Sequence, residues 1–138
     1  MPSVRRLFAL AVVAGLLVVL PGCHSSPTGQ QQGPQYIMLT YNNGNCQQNG
    51  SSGVIDIWSS QSVIYQGASA LTEFQIQFSS CPFAAANCPV NSPNGNAINV
   101  GQPTGSAVNN TYYYSSMMIN NQQCTLAGPM GVRVRPGP

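Results

Sequence analysis

From residue 36 to the end, turn-forming residues cut the chain too often for any helix to run. YIMLTY (residues 36–41) stops at Asn42-Asn43-Gly44, and Asn-Gly returns at Asn49-Gly50 and Asn94-Gly95. Asn and Gly adopt positive φ at low cost, so this dipeptide is the strongest short signal for a tight hairpin. Between the turns lie VIDIW (54–58), SVIY (62–65), EFQIQF (73–78), AINV (97–100), TYYYSSMMI (111–119) and GVRVR (131–135). In EFQIQF, Phe74, Ile76 and Phe78 alternate with Glu73, Gln75 and Gln77, the period of a strand with one dry and one wet face. Val132 and Val134 alternate with Arg133 and Arg135 in the same way. No window repeats at the helical period, and Gly or Pro breaks every stretch that might become a helix. About seven short strands at roughly ten-residue spacing predict an all-β fold, a single antiparallel β-sandwich over residues 36–138.

The first residues obey a different logic. Arg5 and Arg6 precede LFALAVVAGLLVVL (7–20), an apolar run of fourteen residues. As a helix it is about 21 Å long, short for a bilayer core of about 30 Å. A basic start, an apolar stretch and a small residue at the exit form the pattern of a secretory signal peptide. The exit reads Leu20-Pro21-Gly22-Cys23. It resembles the lipobox of bacterial lipoproteins, with a Leu three before the cysteine and a small residue directly before it; Pro21 departs from the usual occupant of its position. The resemblance covers residues 1–23 only. It implies that residues 1–22 are removed by cleavage after Gly22, and that Cys23 carries fatty acyl chains and becomes the N-terminus. In that family the residue after the cysteine influences sorting, and His24 in place of Asp implies the outer membrane of a two-membrane bacterium. Two or more acyl chains hold a protein stably at a membrane, whereas one does so only marginally. Residues 23–35, CHSSPTGQQQGPQ, then read as the lipidated cysteine and a flexible linker.

Removing that segment changes the charge balance. Arg5 and Arg6 leave with the signal, and the remainder holds Asp56 and Glu73 against Arg133 and Arg135. There is no basic stripe to neutralise a phosphate backbone, so nucleic acid is not an expected partner. The lipobox also resolves the cysteine count. Of five cysteines, Cys23 is consumed by lipid, leaving Cys46, Cys81, Cys88 and Cys124 as an even set in an oxidising compartment. Three pairings are open. The expected one is Cys81–Cys88, closing the loop CPFAAANC, with Cys46–Cys124 tying the first strand region to the last.

Chemistry is short of parts. CTLAGPMGVRVRP (124–136) resembles the last loop of blue-copper cupredoxins in Cys124, Met130 and the Val132–Val134 strand. A blue-copper site needs two imidazoles beside its thiolate, and the sole histidine is His24 in the linker. The resemblance therefore implies a cupredoxin-like sandwich without a metal or other cofactor, and an immunoglobulin-like sandwich suits the strand pattern equally. No histidine base or lysine serves a nucleophile. Asp56 and Glu73 make a carboxylate pair only formally, because they lie in different strands. No catalytic residue is expected.

The aromatic residues carry more promise as contacts. Trp58, Tyr65 and Tyr113 stand among many Asn and Gln side chains, a combination used in sugar recognition and in protein interfaces. Consecutive strand residues face opposite ways, so Tyr113 cannot share a face with Tyr112 and Tyr114. Asn49-Gly50-Ser51 and Asn109-Asn110-Thr111 match the glycosylation acceptor pattern and read here as turns. The expected protein is a non-catalytic, lipid-anchored cell-envelope module, binding or structural, with a protein or glycan partner. The alternative is a small envelope enzyme or a redox or copper protein.

Overall fold

The computed structural model describes residues 33–70, 72–126 and 128–137. The segment read as a signal peptide, Cys23 and the expected linker up to residue 32 lie outside the described residues. Ten strands form among the described residues: β1 (Gln35–Asn42), β2 (Asn45–Gln48), β3 (Val54–Trp58), β4 (Val63–Gly67), β5 (Phe74–Phe78), β6 (Val90–Ser92), β7 (Ile98–Gly101), β8 (Thr111–Ile119), β9 (Gln122–Gln123) and β10 (Gly131–Arg135). Helical structure among the described residues is confined to the 3-10 turns Ala85–Asn87 and Gly105–Ala107. One sheet runs β2-β1-β4-β7, the other β3-β10-β8-β5-β6 with β9 paired onto β8. Packed together, they make the disulfide-stabilised all-β sandwich that the strand pattern predicts.

Turn chemistry sets the hairpins. Asn43 and Gly44 both have positive φ, as the two-residue turn between β1 and β2 requires. Asn49-Gly50 does the same before Ser51, and Asn120-Asn121 turns β8 into β9 without any glycine. Asn109 of the second acceptor-like triplet also sits at positive φ, so both triplets are turns. Most strand pairs are antiparallel. Two are not: β1 runs parallel to β4 and β10 runs parallel to β3. Parallel partners need a long connection, and local alternation carries no information about which distant strand lies alongside.

Phe74, Ile76 and Phe78 are buried while Gln75 and Gln77 are exposed, and Val132 and Val134 are buried while Arg133 is exposed. The phase shifts once within β8. Ser115 is bulged out opposite the step from Gln77 to Phe78, which lets Tyr114 and Met117 both face inward. Ile37, Leu39, Ile57, Val63, Ile76, Met117 and Ile119 fill the centre, each contributing about 1.5–3 kcal/mol from burial. Phe83 joins them from the loop between Cys81 and Cys88, edge-on to Phe78 at 6.0 Å and to Tyr65 at 6.5 Å.

Polar groups also cross between the sheets. Gln48, wholly buried on β2, donates through Nε2 to the carbonyls of Gly53 (2.8 Å) and Gly131 (2.6 Å). Its Oε1 accepts the Tyr114 hydroxyl at 2.6 Å. With that proton spent, the 3.2 Å contact between the Tyr65 and Tyr114 hydroxyls has Tyr65 as donor. Burial, above all, pushes both phenols well above their ordinary range. The two disulfides are Cys46–Cys124 and Cys81–Cys88, the expected pairing. The sandwich starts one residue earlier than expected. Gln35 belongs to β1, and its side chain spans the free edge of β3, donating to the Asp56 carbonyl at 2.7 Å and accepting from Trp58 N–H at 3.2 Å.

Candidate functional site

The outer face of the six-stranded sheet gathers most of the charge. Asp56 and Trp58 point outward from β3, because Ile57 between them is buried. Arg133 and Arg135 point outward from β10, because Val132 and Val134 face the core. The parallel register sets Arg133 beside Asp56 and Arg135 beside Trp58. Arg133 Nε reaches Asp56 Oδ1 at 2.6 Å and Nη2 reaches Oδ2 at 3.2 Å, while Arg135 Nε lies 3.4 Å from the same Oδ1. The hydrogen bond from Arg133 holds the Asp56 carboxyl below its usual range, against a smaller opposing effect of burial. Its stabilising contribution is therefore present above the ordinary carboxylate pKa and is lost as pH falls through the lowered value. Two guanidiniums on one carboxylate leave this cluster with a net positive charge.

Tyr113 projects from β8 onto the same face, opposite Gly131. A side chain at Gly131 is ruled out by the backbone, since a Cβ there would come within 2.1 Å of the Tyr112 carbonyl oxygen. The flank of Tyr113 toward β10 consequently carries no side chain at that position. Trp58 and Tyr113 are 37% and 44% exposed, high for residues of their size. They lie two strands and four residues apart in register, about 16 Å from the strand spacing and rise. The arginine–aspartate cluster fills the interval.

Of the three aromatic contacts expected from sequence, the fold brings together two. Tyr65 is a correction: it is 0% exposed, pointing inward with Val63, and its hydroxyl is used within the buried network. The formal carboxylate pair is not assembled either. Asp56 lies at the level of Thr111 across β10, while Glu73 precedes Phe74, which faces Ile119 at the far end of β8. Their separation is on the order of 30 Å from strand rise and spacing, against the roughly 5–9.5 Å that glycoside hydrolysis uses. Cys124, the residue matched to a copper ligand, has its sulfur in the bond to Cys46. Among the described residues no three His, Cys, Asp or Glu side chains gather as a metal would require.

Tyr36 and Met38 are the other large apolar side chains left exposed, and both lie on the outer face of the opposite sheet. Sequence reasoning passed over them because YIMLTY reads as uniformly apolar; the inward Ile37 and Leu39 identify the other two as outward only once the sheet's dry side is known. The chain matches no known family model, no curated protein and no solved structure.

Proposed function

We propose that this chain is a lipid-anchored protein of the bacterial cell envelope, attached through Cys23, whose sandwich binds a protein partner through the Trp58–Tyr113 face and performs no catalysis. The observation that carries the reading is the co-exposure of Trp58 and Tyr113 around Arg133, Arg135 and Asp56. Trp, Tyr and Arg are the residues that dominate interface energetics. Two aromatic anchors about 16 Å apart on one sheet face suit a broad protein surface better than a single small ring. The cysteine count supports the anchor: the domain's two disulfides use four of five, and the fifth, Cys23, stands in the lipobox-like stretch Leu20-Pro21-Gly22-Cys23. That resemblance makes the outer membrane the expected site.

Two measurements test the reading. The intact mass of detergent-extracted protein should correspond to a chain starting at an acylated Cys23 with four thiol hydrogens lost; a chain still starting at Met1 would overturn the anchor. A photo-crosslinking phenylalanine analogue placed at Tyr113 in living cells should give one discrete protein adduct, abolished by Trp58→Ala. An equal adduct from the same probe at Gln75, or none from Tyr113, would overturn the docking face.

A further inference from the structure

The other face of the sandwich holds a cleft of different chemistry. Outward residues on the four-stranded sheet form a row across three strands: Tyr36 on β1, Ile64 on β4 and Asn99 on β7 are register neighbours. Below this row, Ser60 and Ser62 from the β3–β4 connection and Gln102 from beyond β7 close a cleft of about 460 Å³, with Gly33 and Pro34 at its rim. That volume lies in the range of about 300–1,000 Å³ typical of small-molecule sites. Gln102 Nε2 donates to the Ser60 carbonyl at 3.0 Å, which ties the wall together. Asn99 Oδ1 accepts the Gly101 N–H at 2.9 Å, which fixes the amide in one orientation.

The polar groups that remain are of both kinds. Asn99 Nδ2 offers donors, Gln102 Oε1 offers an acceptor, and the Ser60 and Ser62 hydroxyls offer either. Among the described residues, none of these atoms has a hydrogen-bond partner. No lining residue is charged, and Asp56, Arg133 and Arg135 all project from the opposite side of the sandwich. The apolar lining is Ile64 and Pro34; beside it on the same sheet face stands Tyr36, the register neighbour of Ile64 and the most exposed aromatic of the domain at 51%. An aromatic face beside rigid amides and hydroxyls complements a molecule with an apolar C–H face and an equatorial rim of hydroxyls. We infer that this cleft is a binding site for a neutral saccharide, stacked on Tyr36 and hydrogen-bonded by Asn99, Ser62 and Gln102. A peptide strand is the poorer fit, because strand addition uses main-chain groups at a sheet edge, whereas these groups are side chains displayed on a sheet face.

The inference concerns a different face from the proposed protein-docking surface, and either can fail without the other. Its test is amide chemical-shift mapping of the full-length protein in detergent micelles with cellobiose and N,N′-diacetylchitobiose as neutral probes, cellobiouronic acid as the acidic one, and glycerol as a simple polyol. Saturable shifts should appear at Ile64, Asn99 and Gln102 with at least one neutral disaccharide. Tyr36→Ala and Asn99→Asp should each weaken that binding at least tenfold, and Gln77→Ala, on the far face, should leave it unchanged. Asn99→Asp keeps the acceptor for Gly101 N–H while removing the donor and adding charge, so the fold survives the change. Absence of saturable shifts, equal response to glycerol or to the acidic probe, or indifference to both variants would overturn the assignment.

Discussion

The hydroxyl chain Tyr65–Tyr114–Gln48 makes a prediction whose sign is counter-intuitive. Tyr114→Phe strands two buried groups at once, the Oε1 of Gln48 and the hydroxyl hydrogen of Tyr65. Each unsatisfied buried group costs about 1–3 kcal/mol, so the variant should lose about 2–6 kcal/mol. Tyr65→Phe removes only the terminal donor, and Tyr114 still donates to Gln48; its cost should be about 0.5–1.5 kcal/mol. In the double variant only Gln48 Oε1 is stranded. Adding Tyr65→Phe to Tyr114→Phe should therefore restore about 1–2 kcal/mol, a strongly non-additive cycle. Urea unfolding followed by the fluorescence of Trp58, the single tryptophan, measures all four species. With a slope of about 2 kcal/mol/M, Tyr114→Phe should lower the midpoint by about 1–3 M, and the double variant should unfold later than Tyr114→Phe alone. Equal costs for the two single variants, or costs that simply add, would refute the directional chain.

The same two phenols predict alkaline sensitivity. Their folded pKa values lie above the unfolded one, so stability is complete below pH about 10 and falls above it, by up to about 2.7 kcal/mol per pH unit while both are held protonated; alkaline unfolding with and without Tyr65→Phe checks the slope. Replacing Cys46 and Cys124 by Ser, which opens a link across 78 residues, should cost about 4.5 kcal/mol, and replacing Cys81 and Cys88, 7 residues apart, about 2.5 kcal/mol, compared by thermal unfolding. Gly131→Ala should be among the most damaging single-methyl changes, because the new Cβ meets backbone rather than a yielding side chain; β10 would lift from β8, and a melting temperature within a few degrees of wild type would contradict that packing.

Much of this architecture was legible where one local rule decided it. Strict alternation marked the buried side of β5 and β10, and it separated Tyr113 from Tyr112 and Tyr114. The disulfide pairing was expected once one cysteine had been assigned elsewhere. What stayed hidden depended on distant chain. β2 is Asn-Cys-Gln-Gln, poor in strand formers, and it is held by pairing with β1, by Cys124 and by the buried bonds of Gln48. Nothing in a local window marks a glutamine as the centre of a core. Tyr65 follows the alternation of SVIY inward with Val63, a signal present in the sequence but one that a four-residue run shows only faintly. The cleft on the four-stranded sheet draws on β4, β7, the segment before β1 and two connections, so only the pairing of distant strands assembles it.

Gln35 has a practical lesson for anyone trimming this molecule. Its amide plugs the unpaired backbone of Asp56 and Trp58 at the border of the larger sheet. A naked border of that kind is a template onto which another chain can add. Proteolysis or cloning that removes the chain through Gln35 would uncork it, leaving a border onto which a second copy could add, with Trp58 at the junction.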